Sequence, residues 1–311
     1  HFLAVDPFAP AVLFASAISN HPNPNDSGTY TMEDRLLKST NGGVTWSTTY
    51  QVVGPPSAYQ SAIQGLLVDP NRQGSLFVAL SGADACCAQV ARSLDSGQTW
   101  SLILPPNIGF GGLNTAEASS LAALPGVPGL LYAGTITYHG GELMRTSDAY
   151  ATPTPTWSYL AVHFPLLTGP SLLAAAGTAG RHSLYSVWTL MGSSALLRND
   201  DDGPAVSLGG KLPFHDGGAY AEIDAIAINP QQPSWLYAAV AKTPASQGAT
   251  QQRGIFASPD GGQSWLPLTP LNQPVQRLVL AVRSHTLYAV TPAGLYRFTI
   301  TWPVAARFAG Y

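Results

Sequence analysis

The sequence repeats itself about every fifty residues, and that period limits the possible folds more than any other feature. One phrase recurs: an apolar strand, a turn that often carries Pro, and a second strand entered through Leu-Tyr or Leu-Phe. It starts at Leu3, Leu66, Leu121, Leu172, Ala225 and Leu278, at separations of 63, 55, 51, 53 and 53 residues. Six copies account for all 311 residues, which are therefore read as a single domain, 1–311.

A second phrase follows a third strand in each copy. The clear versions run Ser39 to Trp46 (S-T-N-G-G-V-T-W), Ser93 to Trp100 (S-L-D-S-G-Q-T-W) and Ser258 to Trp265 (S-P-D-G-G-Q-S-W). A stretched version joins Thr146 and Asp148 to Trp157 across A-T-P-T-P. Asn199 to Gly203 is a decayed copy without the Trp, and the sixth copy keeps only Thr301-Trp302. The phrase reads as a hairpin. Asn41, Asp95, Asp148 or Asp260 caps backbone N–H groups, and Gly takes a positive φ. Trp46, Trp100, Trp157 and Trp265 then return to pack between neighbouring sheets. A unit of four short strands cannot bury its own faces, so the units must stack. Radial stacking predicts an all-β fold, a six-bladed β-propeller, with seven blades as the alternative.

Composition narrows the function classes. Charged residues are only 10% of the chain, with 14 basic against 17 acidic and just three lysines, Lys38, Lys211 and Lys242. A basic patch large enough to neutralise a phosphate backbone cannot be built from these, which argues against nucleic acid as a partner. The 45% apolar content argues against disorder, and 31 Gly with 26 Pro argue against long helices. No apolar run is long enough to predict a membrane-spanning helix. The opening at His1 rather than Met is read as support for a secreted, mature chain.

The phrase S-x-D-x-G-x-T-W resembles the Asp-box, or BNR repeat, found in sialidases, sortilin-type receptors, xyloglucanases and photosystem assembly factors. The likeness covers nearly the whole chain and singles out no one family among them. It implies a propeller in which the first strand of each blade lines the axis and ligands meet the face opposite the Asp boxes. That assigns the boxes to structure. It directs attention to the loops at residues 18–34, 81–89, 135–142, 187–194 and 241–253.

Function tends to sit on such loops. The first carries His21, Asp26 and Tyr30, together with Asn25-Asp26-Ser27, an N-glycosylation sequon that makes Asn25 a candidate site. The second carries the adjacent pair Cys86-Cys87, open to a vicinal disulfide, two free thiols or bonds to other chains. An oxidising compartment favours the vicinal disulfide.

A sialidase-like mechanism would need an arginine triad, and the inner strands are too poor in charge to supply it. Only Arg277 stands near a strand entry, and Arg35 fits an ordinary third strand. A glycosidase with paired carboxylates needs less. Its candidates are Glu117, Glu222 and Asp224 at the entries of inner strands three and five, with His139, Glu142, His215, Asp216 and Tyr220 as neighbours. No metal motif is present, and Asp200-Asp201-Asp202 reads as the decayed hairpin rather than a calcium loop. No phosphate-cradling Gly loop leads a strand into a helix, so no nucleotide cofactor is expected.

These readings converge on a non-catalytic, extracellular interaction module for a protein or glycan. A surface of low charge also permits contact between copies, as in a cell-surface or filament subunit. The alternative is a glycoside hydrolase.

Overall fold

The computed structural model describes residues 2–22, 30–53, 63–81, 89–104, 117–137, 140–164, 170–190, 193–208, 220–243, 252–271 and 273–300. Strands follow one another along the chain in up-and-down order. Blade 1 is β1 (Leu3–Val5), β2 (Leu13–Pro22), β3 (Tyr30–Ser39) and β4 (Ser47–Val53). Blade 2 is β5 (Ile63–Val68), β6 (Leu76–Leu80), β7 (Gln89–Ser93) and β8 (Ser101–Leu102). Blade 3 is β9 (Glu117–Ala123), β10 (Leu131–Thr137), β11 (Gly140–Thr146) and β12 (Ser158–Phe164). Blade 4 is β13 (Pro170–Thr178), β14 (Arg181–Leu190), β15 (Ser193–Asp200) and β16 (Val206–Ser207). Blade 5 is β17 (Tyr220–Ile228), β18 (Leu236–Thr243), β19 (Gln252–Ser258) and β20 (Leu266–Pro270). Blade 6 has three strands among the described residues: β21 (Arg277–Ala281), β22 (Thr286–Thr291) and β23 (Gly294–Thr299). These six small antiparallel sheets make the chain an all-β, six-bladed β-propeller.

Contacts cluster into two compact units. One comprises His1–Leu173, Thr178–Gly180 and Asp202–Pro204; the other comprises Ala174–Gly177, Arg181–Asp201 and Ala205–Tyr311. In the first unit, Phe14 and Leu36 of blade 1 share a core with Leu76, Val78 and Ala91 of blade 2. Phe77, Ala79 and Val90 face the other way, onto Ala118, Leu131 and Ala133 of blade 3. Every residue of β6 is therefore buried, as expected of a strand covered on both faces. In the second unit, Tyr237, Ala239 and Ile255 of blade 5 pack with Leu278, Leu287 and Ala289 of blade 6. The repeated Leu-Tyr/Phe step supplies this stacking: Phe14, Phe77, Tyr132, Tyr185 and Tyr237 are all buried.

The Ser-x-Asp phrases form the turns between third and fourth strands. Ser93 Oγ donates to Asp95 Oδ1 at 2.8 Å and accepts from Gly97 N–H at 2.8 Å. Asp95 Oδ1 accepts from Thr99 N–H at 2.9 Å, and Oδ2 accepts from the Thr99 hydroxyl at 2.5 Å. The same bonds recur around Ser258, Asp260 and Ser264. In blade 1 Asn41 serves instead, accepting from Thr45 N–H through Oδ1 and donating to Thr45 Oγ1 through Nδ2. The insertion in blade 3 loops out without breaking closure, since Asp148 Oδ1 still accepts from Thr156 N–H at 2.9 Å.

The tryptophans diverge from the single role expected of them. Trp100 Nε1 donates to Thr49 O of blade 1, and Trp157 Nε1 donates to Ile103 O of blade 2. Trp265 is half-buried. Trp46 is 39% exposed and donates to Gly43 O of its own turn.

A second device was not anticipated. The residue just before each turn is basic in the first four blades, and each one reaches forward to the turn of the next blade. Lys38 Nζ donates to Ser96 O at 2.8 Å. Arg92 Nη1 donates to Ala149 O and Ala151 O at 2.9 and 2.7 Å. Arg145 pairs with Asp202 at 3.1 Å, and Arg198 Nη1 donates to Gly261 O at 3.0 Å. Blade 5 has Ala257 at this position.

Candidate functional site

The sequence candidates for catalysis separate in the structure. A register shift between Ile223 and Ala225 leaves Asp224 as the extra residue of a β-bulge. Bulges re-aim side chains, and this one aims Asp224 at blade 6. Its Oδ2 accepts from Val275 N–H at 3.3 Å and is ion-paired with Arg253 Nη1 of β19. Blade 3 has the same bulge between Gly134 and Thr135, and there Ser119 Oγ donates to Pro170 O at 2.7 Å. The bulged position thus ties one blade to the entry of the next. Glu222 is half-buried on β17 opposite Ala241. Glu117 begins β9, with its side chain outside the description. Glu142 is buried on β11 opposite Thr135. Tyr220 begins β17, and His139, His215 and Asp216 lie outside the described residues, as do Asn25, Cys86 and Cys87.

Asp34 is a further buried carboxylate. Asp34 Oδ2 accepts from Ile63 N–H at 2.6 Å at the entry of blade 2, while burial pushes its pKa up against that bond. Ser194 holds Ile223 N–H at the corresponding place between blades 4 and 5. The triplet in the decayed turn is also engaged: Asp200 pairs with Arg198, Asp201 accepts from His182 N–H, and Asp202 receives Arg145 and the Tyr132 hydroxyl.

In blades 1, 2, 3 and 5 the turn between first and second strands meets the Asp turn on one side of the blade. Gly42 N–H donates to Ala11 O, Ser96 N–H to Gly74 O, Ala149 N–H to Gly129 O, and Gly261 N–H to Ser234 O. In blades 2 and 5 these first turns are seven residues long and built alike. Asp69 Oδ1 accepts from Asn71 N–H at 2.9 Å, and Asn229 Oδ1 accepts from Gln231 N–H at 3.0 Å. Asp69 N–H closes on Ser75 O, and Asn229 N–H closes on Trp235 O.

What stands beside each turn differs. Beside the blade 2 turn, Asn71 donates to Leu124 O and Val127 O and accepts from Gly126 N–H of the blade 3 turn. The Arg72 guanidinium lies 4.9 Å from the Tyr150 ring, and the Tyr150 hydroxyl donates to Asp69 at 2.5 Å. Burial and the neighbouring Asp69 push the Tyr150 phenol well above its ordinary pKa. That junction is filled. Beside the blade 5 turn, the described residues of blade 6 offer a single 3₁₀ turn, Val282–Ser284, closed by His285 in the left-handed region at φ 48°. A groove of about 540 Å³ remains, lined by Asn229, Gln231, Gln232, Trp235, Leu280, Val282 and His285.

No protein-family model matches the chain, and no curated protein sequence matches it. Solved structures do resemble it. A GH74 xyloglucanase from Xanthomonas campestris aligns over 96% of this chain and 44% of its own, at 20% identity and a TM-score of 0.62. The chain thus spans less than half of that enzyme's length. A PL25 ulvan lyase bound to a GlcA(1-4)Rha3S unit aligns over 96% of this chain and 78% of its own, at 10% identity and a TM-score of 0.53. At these identities the likeness defines the β-propeller fold. No helix among the described residues is long and apolar enough to cross a membrane.

Proposed function

We propose that this chain is an extracellular propeller of the Asp-box type that binds carbohydrate without cleaving it. The observation that carries the reading is the fate of Asp224. A carboxylate ion-paired to Arg253 and bonded to Val275 N–H is held as a structural link, whereas an acid or nucleophile must be able to meet substrate. Two neighbours of the fold act on polysaccharides, which motivates a glycan over a protein as the ligand. The Asp-turn hydrogen bonds support the Asp-box reading, because they give the Asp a role within its own hairpin. Low charge in the chain permits contact between copies, and light scattering at rising concentration tests it separately.

A glycan array read beside a panel of chromogenic glycosides tests the proposal. Saturable binding without turnover is the expected result. Turnover that Glu117→Ala or Glu222→Ala abolishes would replace it with a paired-carboxylate glycosidase.

A further inference from the structure

We propose that the groove between the first turns of blades 5 and 6 is a binding site for a neutral oligosaccharide, with Trp235 as its stacking platform. This deepens the carbohydrate reading and rests on it. The site lies on the same side of blade 5 as its Asp turn, whereas the family resemblance directs attention to the other side.

The groove exists because one turn is short. At the junction of blades 2 and 3 two long turns meet, and Asn71, Arg72 and Tyr150 occupy the space between them. At the junction of blades 5 and 6 the long turn from Asn229 to Trp235 faces the 3₁₀ turn at Val282–Ser284. Gln231 and Gln232 stand where Asn71 and Arg72 would, and among the described residues no ring corresponding to Tyr150 lines the opening. The walls are preorganised. Four backbone bonds hold them: Asn229 N–H to Trp235 O, Gln232 N–H to Asn229 O, Trp235 N–H to Gln232 O, and His285 N–H to Val282 O.

The lining fits sugar chemistry. A volume of about 540 Å³ falls in the range of ligand sites, roughly 300–1,000 Å³. Trp235 is half-buried, packed against the shared core of blades 5 and 6, and lines the groove, where its ring offers an apolar surface to a pyranose. The exposed Gln231, Gln232 and His285 supply donors and acceptors for hydroxyl groups. Among the described lining residues there is no Lys or Arg, which favours a neutral sugar over a uronate or sulfate. Among the described lining residues there is no carboxylate either.

The test uses the full chain. A glycan array carrying neutral glucan, xylan, mannan and galactan oligosaccharides beside uronate-bearing and sulfated ones selects the probe. Calorimetry then follows the best neutral binder on wild type, Trp235→Ala, the Gln231→Ala/Gln232→Ala double variant and Tyr159→Ala, an exposed aromatic of blade 3. Trp235→Ala is expected to weaken binding about tenfold or more, with the double variant weakened several-fold and Tyr159→Ala unchanged. The double variant alters only exposed side chains, so it reports on the groove even where Trp235→Ala lowers stability. Undiminished binding by both groove variants overturns this site while leaving the carbohydrate reading in place. Binding only to charged glycans overturns the ligand class. An array with no binder at all overturns both readings, and so does a dimer that Trp235→Ala dissociates in place of glycan binding.

Discussion

Replacing Arg92 with Met retains the apolar stem and removes the guanidinium that reaches from blade 2 into the turn of blade 3. Arg92 is 3% exposed, and its Nη1 donates to Ala149 O and Ala151 O at 2.9 and 2.7 Å. Hydrogen bonds to a charged group contribute about 1.5–3 kcal/mol each, so losing both costs about 3–6 kcal/mol. Burial opposes this, because it desolvates the cation and lowers its pKa from the usual arginine value. Met recovers that penalty, leaving a net loss of about 2–4 kcal/mol. Lys38→Met removes one bond at a half-buried site and should cost about 1 kcal/mol. Urea unfolding monitored by near-ultraviolet circular dichroism gives the midpoints. Hydrogen exchange at Ala149 and Ala151 reads the turn itself, which should lose protection in Arg92→Met alone. If Arg92→Met costs no more than Lys38→Met, with equal m-values, the forward-reaching cations are ornaments of the sheet surface and the reasoning fails.

Other expectations follow from the same turns. Gly97 has φ +88°, and a Cβ there would meet Thr49 Oγ1 at 2.2 Å, so Gly97→Ala should cost roughly 2–4 kcal/mol in denaturant unfolding. Trp100 bonds to Thr49 O and lies 4.8 Å from the Tyr50 ring, so Trp100→Ala should cost about 2–4 kcal/mol. Trp46→Ala should cost only about 1 kcal/mol, since that ring is 39% exposed, and thermal melts of the two variants compare them directly. The Thr99 hydroxyl foremost, then Thr99 N–H, holds the Asp95 carboxyl down at about 2. A folded-state pKa below the unfolded value of about 3.9 gives stability that is present above pH 4 and lost as pH falls towards 2. Asp95→Asn should flatten that window while preserving the turn, because Asn41 already makes the matching bonds in blade 1; an unaltered acid limb in pH-dependent melts would contradict this.

The blades were legible because the information for them is periodic. Leu-Tyr and Leu-Phe steps fall at the same phase in every copy, and burial of Phe14, Phe77, Tyr132, Tyr185 and Tyr237 follows from that phase. Asp95 and Asp260 were legible as hairpin caps for a local reason, since donor and acceptor are at most four residues apart. The Trp residues were less so: the expected packing between sheets depends on the neighbouring blade, and Trp46 instead bonds within its own turn. Lys38, Arg92, Arg145 and Arg198 were visible as residues, yet one basic side chain in a third strand looks like ordinary alternation until all four are aligned on the turn. The fate of Asp224 was hidden, because a bulge is decided by register against β18 and the Arg253 partner lies 29 residues on. The groove could have been found by comparing turn lengths between copies. Of the loops favoured from the sequence, 81–89 and 241–253 lie largely outside the described residues.

The direction of the basic side chains has a consequence for synthesis. Every one points from an earlier blade to a later turn, never backwards. A chain leaving the ribosome from its amino end therefore presents each hook before its catch exists, so that each newly made sheet arrives at a neighbour already waiting to hold it.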